Sequence, residues 1–542
     1  MVRRFTGERI RYGLSNNLTD MNFEILFVLL GLAGMLMALI LDKMRPGIVL
    51  LSLVVLFMVA GIITPKQMVA GFSNRGMITV ALLFLVSEGV RQSGALATVI
   101  KKLLPEKETT VTRAQLRLLP VVSAFSAFLN NTPVVVIFAP IVKNWAKKCG
   151  LSCTKFLIPL SYATILGGLC TLIGTSTNLV VHGMMIDRGF EGLKMFDLAW
   201  IGIPITVVGL LFIILTSKKL LPAERPDNFE DEEAGAAAES GKHIVEVVLA
   251  SRFPGLKRQL KNFDFKRRYG AEVKEIRQGG QVITENLGEV RLQEGDTLVL
   301  SADDAFTRTW GDSSVFLMMT NGKEIPSRPV PSWKKWTALA LLLVMIIGAT
   351  VGELPYIQER FPNVKMDMFF FASVTAVVMA WLKLFPPKKY TKYISWDILI
   401  TIACAFAISA AMEESGLAAL IARFIKDVSG PLGAWGALAL LYFVTLVVTE
   451  LITNNAAAAL AFPLALETAE KFGVDPMPFF IAICIAASAG FATPIGYQTN
   501  LIVQGAGNYK FTDFVKIGLP MDLIVMILSI ILIPLIWPFA AA

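Results

Sequence analysis

Two stretches of sequence decide the fold, TLIGTSTNLVVHG at 171–183 and TPIGYQTNLIVQG at 493–505. They lie 322 residues apart and are identical at eight of their thirteen positions. Three further pairs keep this spacing to within one residue: Ser93 and Ser415, Asn131 and Asn454, and Pro140 and Pro463. Because these separate landmarks share one register, the sequence predicts an internal duplication of the chain.

The composition indicates a membrane protein in contact with a lipid bilayer. The 542 residues are 55% hydrophobic and 17% charged, with a mean hydropathy of +0.62, whereas soluble domains carry about 25% charged residues. The pI near 9.1 does not predict a nucleic-acid partner, because Lys and Arg lie mostly in short loops between apolar runs, where they orient a membrane protein. The membrane part has neither a metal-ligand cluster nor a nucleophile–base pair, so an enzyme is not expected.

Membrane spans need about 20 apolar residues. Ten segments are predicted to cross: 23–41, 46–63, 77–95, 156–182, 197–217, 334–352, 367–385, 394–414, 477–504 and 517–538. Five lie in each of two membrane repeats, 1–221 and 333–542. An odd number of spans gives the repeats opposite orientations, as in many secondary transporters.

Two further apolar stretches, 119–142 and 432–466, carry polar clusters at their middles, Asn130-Asn131-Thr132 and Thr453-Asn454-Asn455. Exposed backbone at membrane depth is tolerated only where it lines a cavity or is buried in protein. These stretches therefore predict a re-entrant hairpin in each repeat. An isolated Asn of this kind more often joins helices by hydrogen bonds, but paired clusters in one register favour a binding site.

Two of the predicted spans are interrupted, 156–182 at Gly174–Asn178 and 477–504 at Gly496–Asn500. Paired breaks at corresponding positions predict broken helices that form a transporter site, with a packing kink at a glycine as the alternative. Glu450 lies one helical turn before Asn454, and a structural role is favoured for it over titration. The predicted fold is an all-α polytopic membrane protein with two inverted repeats, each of five spans and one re-entrant hairpin.

The polar groups at the hairpin tips and breaks suit two kinds of ligand. Hydroxyl, amide and carbonyl oxygens suit Na⁺, and the N–H groups at half-helix starts suit an anion. The predicted anion-binding residues are Asn130, Asn131, Thr132, Ser176, Thr177, Thr453, Asn454, Asn455, Gln498 and Thr499. The predicted Na⁺ ligands are Asn130, Asn131, Gly174, Thr175, Asn178, Thr453, Asn454, Gly496 and Asn500. No cofactor besides Na⁺, as the coupling ion, is expected.

Residues 222–332 predict linkers and a small β-rich (α+β) soluble domain with its core at 241–305. An acidic, Ala/Gly-rich run at 230–239 indicates a solvated linker. Short Val/Ile-rich runs and a Gly279-Gly280 turn indicate strands. Lys and Arg are denser in the loops on the side of this domain, which predicts that it is cytoplasmic.

At these residues the chain resembles the divalent anion/sodium symporter family, whose members carry dicarboxylates, citrate or sulfate. That family has a Ser-Asn-Thr motif at each hairpin tip and a Pro nine residues after the Asn; here Asn131 precedes Pro140 and Asn454 precedes Pro463 at that spacing. Thr449-Glu450 stands where the family has Thr-Glu. The resemblance implies an elevator-type transporter in the plasma membrane, usually a homodimer, that holds Na⁺ and substrate between hairpin tips and broken helices.

The departures from the family pattern concern the substrate. Asn130 and Thr453 replace the first Ser of each motif, and Asn455 replaces the second Thr. The breaks Gly-Thr-Ser-Thr-Asn and Gly-Tyr-Gln-Thr-Asn, together with the insert, look more like the sulfate branch than the dicarboxylate branch. The insert is similar to the C-terminal domain of TrkA-type potassium-uptake regulatory proteins, which implies a small-molecule effector.

These observations predict a secondary transporter that imports a small divalent anion, sulfate slightly ahead of a dicarboxylate, coupled to Na⁺, in the plasma membrane of a bacterium. A proton-coupled or antiport transporter of the same superfamily is the first alternative. A ligand-regulated ion channel is the second, but a potassium filter needs a segment such as Thr-Val-Gly-Tyr-Gly, which the sequence does not contain.

Overall fold

The computed structural model describes residues 23–41, 44–105, 109–223, 243–311, 313, 315–321, 330–361 and 364–541. The predicted acidic linker at 230–239 and the first two residues of the predicted 241–305 core lie outside these residues.

The first half of the chain is helical throughout its described residues. Its helices are α1 (Phe23–Ile40), α2 (Pro46–Val59), α3 (Pro65–Ala70), α4 (Arg75–Ser93), α5 (Ala95–Leu103), α6 (Val111–Ser126), α7 (Asn131–Lys148), α8 (Leu157–Gly168), α9 (Ser176–Asp187) and α10 (Ala199–Leu220). The predicted hairpin is the pair α6–α7, and the predicted broken helix is the pair α8–α9. Both helices of the hairpin extend beyond the predicted limits of 119–142.

The inserted domain is a five-stranded antiparallel sheet with short helices. Its elements are β1 (His243–Leu249), α11 (Phe265–Tyr269), β2 (Glu272–Gln278), β3 (Gln281–Ile283), β4 (Thr297–Ala302), α12 (Asp304–Trp310) and β5 (Phe316–Asn321). The strand order is β3-β2-β4-β1-β5. The predicted core of 241–305 was too short, because β5 pairs with β1, with Val247 opposite Met319, and completes the sheet.

The second half is again helical in its described residues. Its helices are α13 (Ser332–Gly352), α14 (Pro355–Arg360), α15 (Met368–Trp381), α16 (Trp396–Glu414), α17 (Leu417–Ser429), α18 (Gly433–Leu451), α19 (Asn454–Phe472), α20 (Met477–Ser488), α21 (Gln498–Gly507) and α22 (Phe511–Ile536). The pair α18–α19 is the second hairpin, predicted at 432–466, and α20–α21 is the second broken helix.

The register seen in the sequence also relates local structure. Gly94 and Gly416 both adopt left-handed backbone, with φ of 70° and 81°. A serine precedes each glycine and accepts the first N–H of the helix that follows. Ser93 Oγ accepts the N–H of Ala95 at 3.2 Å, and Ser415 Oγ accepts the N–H of Leu417 at 3.4 Å. Each glycine thus starts a short amphipathic helix, α5 or α17, that the sequence did not predict as a separate element.

Within the described residues, seven helical segments are long and apolar enough to cross a membrane, where ten spans were predicted. They are Phe23–Ile40, Pro65–Ser93, Ala199–Leu220, Ser332–Gly352, Trp396–Glu414, Leu417–Leu451 and Phe511–Ile536. Three predicted spans form shorter apolar helices instead, Pro46–Val59, Met368–Trp381 and Met477–Ser488. A helix of 14 residues is about 21 Å long, which is less than a bilayer core of about 30 Å.

Apolar side chains on the outer helices face away from the protein. On α22, exposed residues recur at every fourth position: Leu519, Leu523, Ile527, Ile531 and Leu535. On α10, Trp200, Ile203, Val207, Leu211 and Leu215 form a similar stripe. Continuous apolar stripes of this length are unfavourable in water and are the surfaces that lipid covers. The chain is a multi-pass membrane protein.

The sheet has two buried faces that contact different partners. One face covers the domain's own aromatic core, which includes Phe253, Tyr269 and Phe316. The other face contributes Val248 and Met318 to the core of the membrane helices. The domain therefore packs directly on the membrane part of the chain.

Candidate functional site

Four helices begin close together, and their N-termini define the candidate site. They are α7 at Asn131, α9 at Ser176, α19 at Asn454 and α21 at Gln498. The first N–H groups of a helix have no partner within the helix. An N-terminus also carries a partial positive charge of about half an elementary unit. The predicted hairpin tips and breaks thus lie where four such ends meet.

Side-chain contacts join each hairpin to the broken helix of the other half. Thr132 Oγ1, in the first hairpin, donates to Gln498 Oε1 at 3.2 Å. Ser176 Oγ, in the first broken helix, donates to Asn455 Oδ1 at 3.0 Å. When the two halves are aligned, Thr132 corresponds to Asn455 and Ser176 corresponds to Gln498. The two contacts therefore involve corresponding pairs of positions, with the two halves exchanged. The two halves therefore meet through equivalent contacts.

Asn131 is buried at the first tip, with 1% of its surface exposed. With its carboxamide oriented to satisfy its neighbours, it donates to Thr164 O at 3.1 Å and to Gly174 O at 3.2 Å, and it accepts from the Tyr497 hydroxyl at 2.6 Å. Ser126 Oγ lies 2.6 Å from the same amide. Asn131 thus holds the tip against the first break.

Asn454 has a matching environment at the second tip. Thr449 Oγ1 lies 3.1 Å from Asn454 Oδ1, as Ser126 lies beside Asn131 one half earlier. Thr449 also donates to Ala487 O at 2.6 Å, which ties hairpin α18–α19 to helix α20. Asn130 caps α7 by accepting the N–H of Thr132 at 3.4 Å.

The two breaks are held open by equivalent asparagines. Asn178 Nδ2 donates to Thr171 O at 3.0 Å and to Gly168 O at 3.5 Å. Asn500 Nδ2 donates to Thr493 O at 3.1 Å and to Gly490 O at 3.0 Å. Each amide therefore satisfies carbonyls that the interrupted helix leaves without partners.

The side-chain oxygens of these asparagines differ in one respect. Asn500 Oδ1 accepts from Ser161 Oγ at 2.7 Å. Asn178 Oδ1 is buried and has no hydrogen-bond partner among the described residues, and the same is true of Thr453 Oγ1 at the second tip. A buried oxygen without a donor costs free energy, unless a cation or another ligand binds there.

Glycine permits close approach at both breaks. A Cβ on Gly174 would lie 2.5 Å from Gly168 O, and one on Gly496 would lie 2.6 Å from Glu450 Oε2.

The predicted threonines of the breaks contact other hydroxyl groups. Thr177 contacts Thr175 at 3.4 Å between hydroxyl oxygens. Thr499 Oγ1 lies 2.8 Å from Ser161 Oγ, and this contact joins α21 to α8. The contacts Thr132–Gln498 and Ser176–Asn455 instead join hairpins to broken helices.

Two carboxylates, one of them not predicted, hold the second break. Glu450 Oε1 accepts the N–H of Ala492 at 3.1 Å, and Asp522 Oδ1 accepts the N–H of Phe491 at 3.2 Å. The contacts of Glu450 agree with the structural role favoured for it. Asp522 is buried in α22 and lies inside a predicted span. The sequence could have indicated it, because an acidic residue within an apolar membrane segment usually marks a functional position.

Tyr497 and helix α4 are further parts of the site that the sequence did not predict. The Tyr497 hydroxyl lies 3.2 Å from Thr175 Oγ1. A cleft beside the first tip is lined by Ser87 of α4 together with Asn130, Phe128 and Ser176. None of the residues that line this cleft is charged. Ser87, Asn130 and Ser176 are its polar residues, and the other six are apolar.

The soluble domain docks on two of the four helices that begin at the site. Lys143, near the end of α7, forms an ion pair with Glu246 of β1 at 2.6 Å and donates to Ala506 O, near the end of α21, at 3.0 Å. A Cβ on Gly505 of α21 would collide with Gly295 O of the domain. Both α7 and α21 therefore extend from the site to the sheet.

These features, a multi-pass helical fold with paired hairpins and breaks around a shared polar site, are those expected of a membrane transporter. The chain belongs to the citrate transporter family (CitMHS), whose model matches residues 36–479 and 365–541.

Several known proteins are similar to the chain. The chain is 29% identical to the "Uncharacterized transporter sll0640" of Synechocystis over 89% of this chain and 92% of that protein. It is 24% identical to the "Probable sodium/sulfate cotransporter 3" of Chlamydomonas reinhardtii over 86% of this chain and 83% of that protein. The crystal structure of the Alcanivorax borkumensis YdaH transporter aligns with a TM-score of 0.46 and 15% identity, over 88% of this chain and 89% of that one. The family match and the names of the relatives indicate a transporter and not an enzyme. The resemblance to the divalent anion/sodium symporters is confirmed by the family match and by the relatives named sodium/sulfate cotransporters.

Proposed function

We propose that the chain is a secondary active transporter that imports a small divalent anion together with Na⁺, with sulfate ahead of a dicarboxylate. The observation that carries this proposal is the meeting of four helix N-termini through equivalent contacts between the two halves. N-termini bind anions without Lys or Arg, and the four helix starts carry uncharged polar side chains, at 130–132, 176–178, 453–455 and 498–500. Relatives named sodium/sulfate cotransporters support sulfate and Na⁺ as the pair.

The proposed anion-binding residues are those predicted at the tips and helix starts, with Thr132, Ser176, Asn455 and Gln498 at the centre. Thr132 lies 3.2 Å from Gln498 and Ser176 lies 3.0 Å from Asn455, so each pair joins the two halves. An anion that enters between them would replace these mutual contacts with contacts to its own oxygens. The same groups therefore join the halves in the absence of substrate and bind the substrate when it is present.

Each half has one proposed Na⁺ site, formed by its hairpin tip and its break. In the first half, Asn178 Oδ1 is buried without a hydrogen-bond donor among the described residues, as expected of an oxygen that binds a cation. In the second half, Thr453 Oγ1 has the same property. Hard cations take oxygen ligands, and carbonyls at Gly174 and Gly496 complete the predicted sets. Since both sites adjoin the anion site, binding of Na⁺ and of the anion would support each other.

We propose an elevator mechanism with two inverted repeats, in which hairpins and broken helices move together as one body. The equivalent contacts between the halves support this, because they tie the moving parts to each other. The resemblance further supports a homodimer in the plasma membrane.

The soluble domain is proposed to be cytoplasmic and modulatory, and to belong to the TrkA-type ligand-binding domains. Lys147 and Lys148 end α7 and Lys218 and Lys219 end α10, and basic residues favour the cytoplasmic side. Because α7 and α21 link the site to the sheet, an effector that changes the docking would change the balance between inward and outward states. A chain that lacks residues 230–330 and carries Lys143→Met should keep Na⁺-dependent uptake with an altered rate. Loss of all substrate binding by this folded variant would place the binding site elsewhere.

A proton-coupled transporter is the second candidate. The observation that favours it is the pair of carboxylates at the second break, Glu450 and Asp522, which accept N–H groups of adjacent residues. Acidic residues inside membrane segments form proton relays in some transporters.

Uptake of radiolabelled sulfate and succinate into proteoliposomes tests the proposal. We expect an inward Na⁺ gradient to drive sulfate uptake more strongly than succinate uptake. Sodium-independent uptake driven by a pH gradient, and abolished in Glu450→Gln, would replace Na⁺ coupling with proton coupling.

A further inference from the structure

We infer that Tyr497 is a positioning residue that joins the second broken helix to the first hairpin tip, and that its ring restricts the site to compact anions. This inference rests on the proposed function, since it places the anion between the tips. It concerns a residue outside the predicted ligand sets.

The contacts of one hydroxyl group carry the inference. The Tyr497 hydroxyl lies 2.6 Å from the amide of Asn131 and 3.2 Å from Thr175 Oγ1. A phenol can donate one hydrogen bond and also accept, so one hydroxyl can bind both partners. Asn131 belongs to the first tip and Thr175 to the first break, so Tyr497, at the start of α21 in the second half, contacts both elements of the first half.

The register between the halves identifies what is special about this position. Tyr497 corresponds to Thr175, and the two hydroxyls meet where the halves join. The first half thus supplies a small side chain at this place and the second half supplies a large one. Tyr497 is buried, with 9% of its surface exposed, and its ring occupies volume beside Asn131 and Thr175 that a second threonine would not fill.

The backbone of Tyr497 fixes where the ring lies. Its carbonyl accepts the N–H of Asn500 at 2.9 Å in the first turn of α21. The preceding Gly496 lies directly against the Glu450 carboxylate of the second hairpin. The ring is therefore held between rigid elements, and a long anion could not displace it without moving the start of α21.

Two substitutions separate the hydroxyl from the ring. Tyr497→Phe keeps the ring and removes the contacts to Asn131 and Thr175, so the KM for Na⁺ and for sulfate should rise about tenfold, as for the loss of buried hydrogen bonds, with the sulfate-to-succinate ratio unchanged. Tyr497→Thr keeps a hydroxyl and removes the ring, as in the first half. It should lower the sulfate-to-succinate ratio of kcat/KM by about tenfold or more.

Tyr442→Phe is the matched control, because Tyr442 is a buried tyrosine in α18 and should leave both kinetic constants unchanged. If Tyr497→Phe has the wild-type KM values, the positioning role is wrong. If Tyr497→Thr transports sulfate with the wild-type ratio, the size restriction is wrong. If the wild-type protein carries another anion, the same variants are compared with that anion and its longer homologues, so that a wrong substrate does not obscure the role of Tyr497.

Discussion

The ion pair between Lys143 and Glu246 should hold the soluble domain on the transport helices. The side chains are 11% and 13% exposed, and Nζ and Oε2 are 2.6 Å apart. Glu246 also accepts from Arg277 at 3.1 Å. Burial alone would raise the pKa of Glu246, but the two cations outweigh it and lower the pKa. The carboxylate is therefore charged at neutral pH.

The cost of breaking the pair follows from which charges remain. Glu246→Gln removes the carboxylate that Lys143 and Arg277 share, although Arg277 keeps its ion pair with Glu275; breaking a buried ion pair costs about 3–5 kcal/mol. Lys143→Met leaves Glu246 with Arg277, so we expect a smaller cost of about 1–3 kcal/mol. The double variant should recover part of the loss, since it removes both members of the pair.

Hydrogen exchange of α21 measures this cost, because Gly505 and Ala506 lie beneath the domain. Glu246→Gln should speed exchange of the last turn of α21 by about a hundredfold or more. The control is Lys261–Glu289, an ion pair of nearly the same length, 2.7 Å, whose side chains are 49% and 62% exposed. Glu289→Gln should change exchange by less than about threefold. Equal effects of the two glutamine variants would refute the role given to burial.

Three further predictions concern the site and the domain. Asn131→Ala and Asn454→Ala should each abolish uptake while the protein stays folded by thermal unfolding, and a folded double variant with wild-type uptake would sink the assignment. Asn178→Ala should raise the Na⁺ concentration for half-maximal sulfate uptake by about tenfold and lower its Hill coefficient toward one; an unchanged Na⁺ dependence would remove Asn178 from the site. Burial raises the pKa of Asp296 from 3.8 to about 7, against hydrogen bonds from Gln293 and Gln278. The folded domain thus retains a proton that the unfolded chain releases. Its free energy of unfolding should therefore fall by a few kcal/mol as pH rises from about 4 to 7 and then stay level. Thermal unfolding of Asp296→Asn, measured over the same pH range, should not show this decrease.

The hairpins and breaks could be predicted from the sequence because their signal is local. Polar clusters such as Asn130-Asn131-Thr132 interrupt apolar runs. Because a second cluster occurs at nearly the same offset as the other repeated positions, a binding site is a better interpretation than an isolated packing contact. The identity of the chain as a transporter followed from the same residues, and the family match confirms it.

What could not be predicted depends on contacts between residues distant in sequence. Tyr497 meets Asn131 across 366 positions, and no pattern near either residue indicates the contact. Ser87 lines the cleft from a helix that reads as an ordinary apolar span. The docking of the domain relies on two glycines, Gly295 and Gly505, whose backbones approach closely and leave no periodic signal.

The number of spans was overestimated for a physical reason. Apolar runs such as 46–63 are long enough in sequence, but the helix ends at Val59, and Gly61 turns the chain with a φ of 77°. Hydrophobicity predicts burial in lipid or protein and does not by itself fix the length of a helix.

Equilibrium binding of radiolabelled sulfate to the purified protein, at increasing Na⁺ concentration, tests most directly whether the four helix N-termini form the binding site. We predict saturable binding that requires Na⁺ and rises with more than first-order dependence on it, in the wild-type protein and in Tyr442→Phe, and no binding in folded Asn131→Ala or Asn454→Ala. Sulfate binding of wild-type strength in both folded alanine variants would contradict the site.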